Sequence, residues 1–147
     1  MNKGFSLIEM LLVLGILAVL LSLVLIAVNP SRQFQQANNT KRSSDITALL
    51  NGIHQYAINN TGSFPPGIPT TSPIFISSFG ANICSALVTR YLAALPTDPT
   101  ATAAGVPITN CAGSYNTGYT VIQSASDNRI TIYAPNAKLN AAIYVTR

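Results

Sequence analysis

The chain has 147 residues, and few of them carry side chains able to do chemistry: four carboxylates, one histidine and two cysteines. The carboxylates are Glu9, Asp45, Asp98 and Asp127. No two of them sit at a spacing that suggests a shared acid–base site. His54 stands alone on a helical stretch, beside an apolar stripe, and a catalytic base or metal ligand needs placed partners. Packing or surface hydrogen bonding is therefore its expected role. No metal-ligand spacing and no phosphate-binding glycine loop occurs, so no metal, no cofactor and no catalytic residue is expected. Asp127 falls in a hairpin loop, where one carboxylate is too little for a calcium site. Cys84 and Cys111 lack the C-x-x-C spacing of a redox pair, and an even count in an exported domain predicts one disulfide. On the chain-entropy model a loop of that length contributes about 3.5 kcal/mol, a large share of a small domain's stability. Glu9 is the anomaly, because it is the single charge in residues 5–28.

Hydrophobic residues make up 48% of the chain and charged ones 8%. Much of that apolar content lies in residues 5–28, which leaves a polar remainder able to build one small core. As a helix, residues 5–28 would be about 36 Å long, against about 30 Å for a bilayer's apolar core. The run is too long for an ordinary secretory signal, and no small-residue cleavage site closes it. A buried charge costs roughly 2.5–3.5 kcal/mol on insertion scales, and less near the interface. Glu9 therefore either reaches the headgroups or waits for a cationic partner. A cut between Gly4 and Phe5 would supply one, since the new amine would lie four residues before Glu9, on the same helix face. Burying the two charges together offsets part of what each loses alone. Gly15, Ala18 and Ser22 are small residues spaced three and four apart; the spacing would let helices approach closely in a bundle, but small residues are common in spans and that reading is preferred. At Asn29-Pro30 a discontinuity is expected. Either Pro30 breaks the helix, or Asn29 caps a new one with Pro30 in its first turn.

Gly4-Phe5-Ser6-Leu7-Ile8-Glu9 followed by an apolar run resembles the N-terminal motif of type IV prepilins and pseudopilins. The resemblance implies that a membrane peptidase cuts after Gly4, and that the same enzyme N-methylates Phe5. It implies that Glu9, fifth after the cut, pairs with a neighbouring subunit's N-terminus during filament assembly. It also fixes the orientation. Positive charges flank the span on both sides, so the charge rule alone does not decide. The resemblance keeps residues 1–4 in the cytoplasm as a leader and exports the rest.

Beyond the span, Ile46, Leu49, Leu50, Ile53 and Tyr56/Ala57 recur at helical steps within residues 31–61. Arg42, Asp45, Asn51 and Gln55 are expected on the opposite side. Gly62 and Pro65-Pro66 stop this helix. Residues 62–116 read as a loop region, with a short helix over 85–95 that ends at Leu95-Pro96-Thr97-Asp98-Pro99. That element is similar to one found in many type II secretion pseudopilins. Residues 118–123, 129–133 and 142–146 alternate as strands and predict a three-stranded antiparallel meander. Its apolar face would cover the helix stripe.

The expected fold class is α+β, a type IV pilin-like fold. A long N-terminal helix, half membrane-spanning and half amphipathic, packs on a small three-stranded C-terminal sheet with one disulfide. The expected parts are a leader (1–4), an assembly helix (5–28) and an exported head (29–147), whose sheet occupies 117–147. The expected function is that of a main-body subunit of a pilus-like filament, with a pseudopilin of a secretion or DNA-uptake system as the alternative. Expected partners are copies of itself, the peptidase–methyltransferase, the assembly machinery and, before assembly, the inner-membrane bilayer. The net charge of +4 admits DNA, but the cations are scattered rather than clustered.

Overall fold

A computed structural model describes residues 4–101, 103 and 105–147. The rest of the expected leader, residues 1–3, lies outside the described residues. The chain divides into two compact units, Met1–Gln35 and Gln36–Arg147.

The first unit is helical. Helix α1 spans Leu7–Val28, and every described residue within it is exposed. Its described apolar side chains are left open to the surroundings. The stretch Leu7–Ile26 has a mean hydropathy of 2.8 and is long enough to cross a membrane. Asn29 then takes a left-handed conformation, φ 45° and ψ 79°, and helix α2 begins at Pro30 and runs to Asn59. Between the two alternatives at this junction, the structure takes the second. The Asn29 carbonyl and side-chain oxygen both accept from the Arg32 amide, at 3.1 and 3.3 Å. Pro30, which has no amide hydrogen to satisfy, takes the first helical position.

In the second unit, α2 turns its stripe of Ile46, Leu49, Leu50 and Ile53 onto a sheet, each of them at most 1% exposed. That sheet has four antiparallel strands: β1 (Ile74–Ser77), β2 (Asn116–Gln123), β3 (Ile130–Tyr133) and β4 (Tyr144–Thr146), in the order β1-β2-β3-β4. The α+β class holds, but the sheet gains a strand that the sequence had hidden among prolines. Cross-strand partners Ile74, Val121, Ile132 and Val145 form one row, and all four belong to the core or pack against it. The helix expected over 85–95 is only one turn, α3 (Cys84–Leu87). Thr89 adopts a left-handed φ of 70°, and the Thr89 amide bonds back to the Leu92 carbonyl, so the chain folds on itself rather than continuing the helix.

Arg42 and Asp45 overturn their expected exposure. Both are buried, Arg42 completely. The reason is a partner far away in sequence. Arg42 Nε donates to Asp98 Oδ2 at 2.7 Å and Nη2 to Asp98 Oδ1 at 3.2 Å. Both side chains are 0% exposed.

Candidate functional site

Two places merit a functional account, one in each unit. The first is the start of α1. Gly4, Phe5 and Ser6 lie outside the helix, and Phe5 is 84% exposed. Ser6 has extended angles, φ −77° and ψ 150°, and serves as N-cap. The Glu9 amide donates to Ser6 Oγ at 3.3 Å, and the Ser6 amide donates to Glu9 Oε2 at 2.8 Å. This is a capping box, in which each side chain satisfies a helix-end donor of the other residue. The Ser-x-x-Glu spacing that signals it is present in the sequence, but the resemblance drew attention to Glu9 alone. The carboxylate also sits in the first turn, where the helix dipole favours negative charge. Its remaining lone pairs leave capacity for a further donor. A Cβ placed on Gly15 would meet no other part of the chain within 4 Å beyond its own helix backbone, and Ser22 satisfies its own hydroxyl on the Val19 carbonyl at 2.7 Å.

The second place is the polar cluster that joins α2 to the loop before β2. Asp98 accepts from Arg42, and its Oδ1 also accepts from the Thr100 amide and hydroxyl, each at 2.7 Å. Burial pushes the Asp98 carboxyl up, but the bonds from Arg42 and Thr100 outweigh it and hold it below the usual carboxylate range. Arg42 donates further to Asn39 Oδ1 and Thr100 Oγ1. One turn along, Asp45 pairs with Lys41 at 2.8 Å and accepts from the Tyr119 hydroxyl at 2.8 Å. Burial and the Asp45 carboxylate raise the Tyr119 phenol well above its ordinary range. Gly118 lets the strand approach this cluster: its φ is +80°, and a Cβ there would lie 2.8 Å from Asp98 Cβ. Among the described residues, no buried side-chain polar atom of this cluster lacks a protein partner. The arrangement acts as a clamp between α2 and the loop before β2.

The remaining candidates are apart from both places. Cys84 and Cys111 form a disulfide with Cα atoms 5.5 Å apart. It ties α3 to the segment before β2. The His54 ring meets Phe64 edge-on at 5.8 Å, and its Nε2 is buried without a hydrogen-bond partner among the described residues. Burial, then the Arg147 charge, lowers the His54 pKa. Asp127 is exposed in the β2–β3 turn. Among the described residues, no group of three or more His, Cys, Asp or Glu side chains could hold a metal.

A membrane-length apolar helix with one acidic group at its capped start, and an α+β head tied by one disulfide, fit a pilin-like fold. Residues 1–25 match the family model described as the prokaryotic N-terminal methylation motif, the prepilin signature of type IV pilins and pseudopilins. No curated protein and no solved structure gives a significant match. The motif supports a type IV pilin or pseudopilin precursor, and with it a structural protein processed by prepilin peptidase and assembled into a filament. Together with the apolar helix, it fits a membrane-anchored precursor that leads to a surface filament.

Proposed function

We propose that this protein is a main-body subunit of a type IV pilus-like filament. The observation that carries the proposal is Glu9, a carboxylate kept at the start of a helix otherwise suited to lipid, just after a Gly-Phe junction outside the helix. Hydrolysis of the Gly4–Phe5 peptide bond frees residues 1–4 with a new carboxylate and leaves an amine on Phe5. Transfer of a methyl group from an electrophilic methyl donor to that amine displaces one proton, and the resulting secondary amine is again protonated and positive near neutral pH. In the membrane the amine then pairs with Glu9 of a neighbouring copy, and this fixes the axial step between subunits. In a lone anchor, leucine at position 9 would lose one capping bond, typically about 1 kcal/mol, and would spare the larger penalty of placing a charge in the bilayer. The disulfide-tied head suits the extracellular face, where thiols oxidise.

Intact mass spectrometry on protein sheared from cells, beside the membrane fraction, tests this. The expected species begins at Phe5, carries one extra methyl and is abundant in the sheared fraction. The same species confined to membranes replaces the pilus by a short pseudopilus. An uncut chain overturns the proposal altogether.

A further inference from the structure

The sheet has a second face, and its residues form a pattern of their own. Strand neighbours alternate between faces, so the residues beside the core row point away from α2. In register these are Phe75, Thr120, Tyr133 and Tyr144, one from each strand. Three are aromatic and substantially exposed, at 44% for Phe75, 39% for Tyr133 and 63% for Tyr144. At about 4.8 Å between strands, the row runs about 14 Å across the sheet. The next row on this face is Ile122, Thr131 and Thr146. Neither row contains a charged residue. At the β1 edge, Phe75 also lines an open cleft of about 760 Å³ with Phe79, Ile108 and Tyr115, and Phe79 is 91% exposed.

Thr120 supplies the second observation. It sits in the middle of the row between Phe75 and Tyr133, it is only 9% exposed, and its Oγ1 has no hydrogen-bond partner among the described residues. Buried hydroxyls in native proteins nearly always have one. A row of rings with an unanswered hydroxyl between them asks for a ligand with flat apolar faces and hydroxyl groups on its rim.

We propose that Phe75, Thr120, Tyr133 and Tyr144 form a binding platform for a neutral oligosaccharide. The C–H faces of its pyranose rings pack on the aromatic rings, and a ring hydroxyl parts Phe75 from Tyr133 to bond Thr120. The cleft at Phe79 receives the chain as it leaves the β1 edge. A nucleic acid would need cations along the row to meet its phosphates, and the row has none. A peptide strand would add to a sheet edge, whereas the middle of this face has no unpaired backbone to offer. The platform lies wholly in the second unit and does not depend on the filament assignment.

The test uses the full-length protein in a zwitterionic detergent without sugar headgroups. It is applied to an array of neutral hexopyranose oligomers, cellohexaose and chitohexaose among them, beside uronic-acid oligomers and single-stranded oligothymidylate. The expected result is saturable binding to a neutral oligomer that is insensitive to salt. Tyr133→Ala and Tyr144→Ala each weaken it about 3- to 10-fold, the scale of an aromatic contact. Thr120→Val weakens binding while leaving the melting temperature equal or higher, which separates loss of the ligand bond from loss of fold. Absence of neutral binders, or binding unchanged in all three variants, overturns the proposal. So does a row that takes only polyanions, or one whose variants reduce self-association without affecting any glycan.

Discussion

Arg42 and Asp98 pair in a fully buried place, so neither can be changed alone without cost. Asp98→Asn leaves the guanidinium buried without an opposite charge, and the expected loss is about 3–5 kcal/mol. Replacing both by apolar residues of similar volume is expected to cost much less, because the desolvation of two ions is recovered. Thermal melts of the two variants check this, and a double variant as unstable as the single one contradicts it. The acid limbs of stability also separate at this scale. His54 has a folded pKa below its unfolded value, so the unfolded chain binds more protons. Stability is then full above about pH 6.5 and falls as pH drops through that value toward the folded pKa. Asp98 is also depressed, but its contribution is lost only below about pH 4, the ordinary aspartate range. Melts from pH 8 to pH 5 are expected to decline in the native chain and to flatten in His54→Gln. An equal decline in both would remove His54 as the cause.

At the scale of elements, the disulfide is the most consequential single link. It closes a loop across 27 positions in a head with one modest core, so reduction is expected to cost about 3.5 kcal/mol on the chain-entropy model. A melt in reducing agent checks this, and an unchanged midpoint rejects a stabilising bridge. The elements also show what a sequence can disclose. The membrane-length run and the Ile46–Ile53 stripe were legible because each repeats one local rule over many residues. Strands β2, β3 and β4 were legible through alternation. Strand β1 was not, because Ile74, Phe75 and Ile76 stand among Pro73 and several serines, and turn-rich composition outweighed three residues of pattern. The long reading of α3 failed for a related reason. Ala86, Leu87 and Leu92 fit helical spacing, yet the left-handed Thr89 answers to tertiary contacts that no local rule contains. The Arg42 placement shares that cause, since Asp98 is 56 residues away and only the fold brings it near. At the start of α1 the reverse holds: Ser6 and Glu9 are three apart, and the capping box could have been read directly.

For the whole molecule, the separation into two units implies separable behaviour. Each residue of the hydrophobic core cluster lies in the second unit, as do the disulfide and the buried ion pair. The first unit holds the exposed apolar helix and Glu9. A chain shortened to begin at Gln36 is therefore expected to be monomeric in water and to melt close to the full-length protein in detergent. Self-association should follow the first unit instead. Glu9→Leu keeps the span apolar and removes the carboxylate proposed to meet a neighbour's amine, at the cost of one capping bond, typically about 1 kcal/mol at the helix start. Its head should therefore melt normally while the yield of sheared filaments collapses. Sedimentation of the shortened chain, with filament yield and head melting measured on Glu9→Leu, decides the matter. Normal filaments from Glu9→Leu would mean that apolar packing alone sets the subunit step. A shortened chain that aggregates or fails to fold would mean that the head depends on residues before Gln36, and that the two units are not independent in stability.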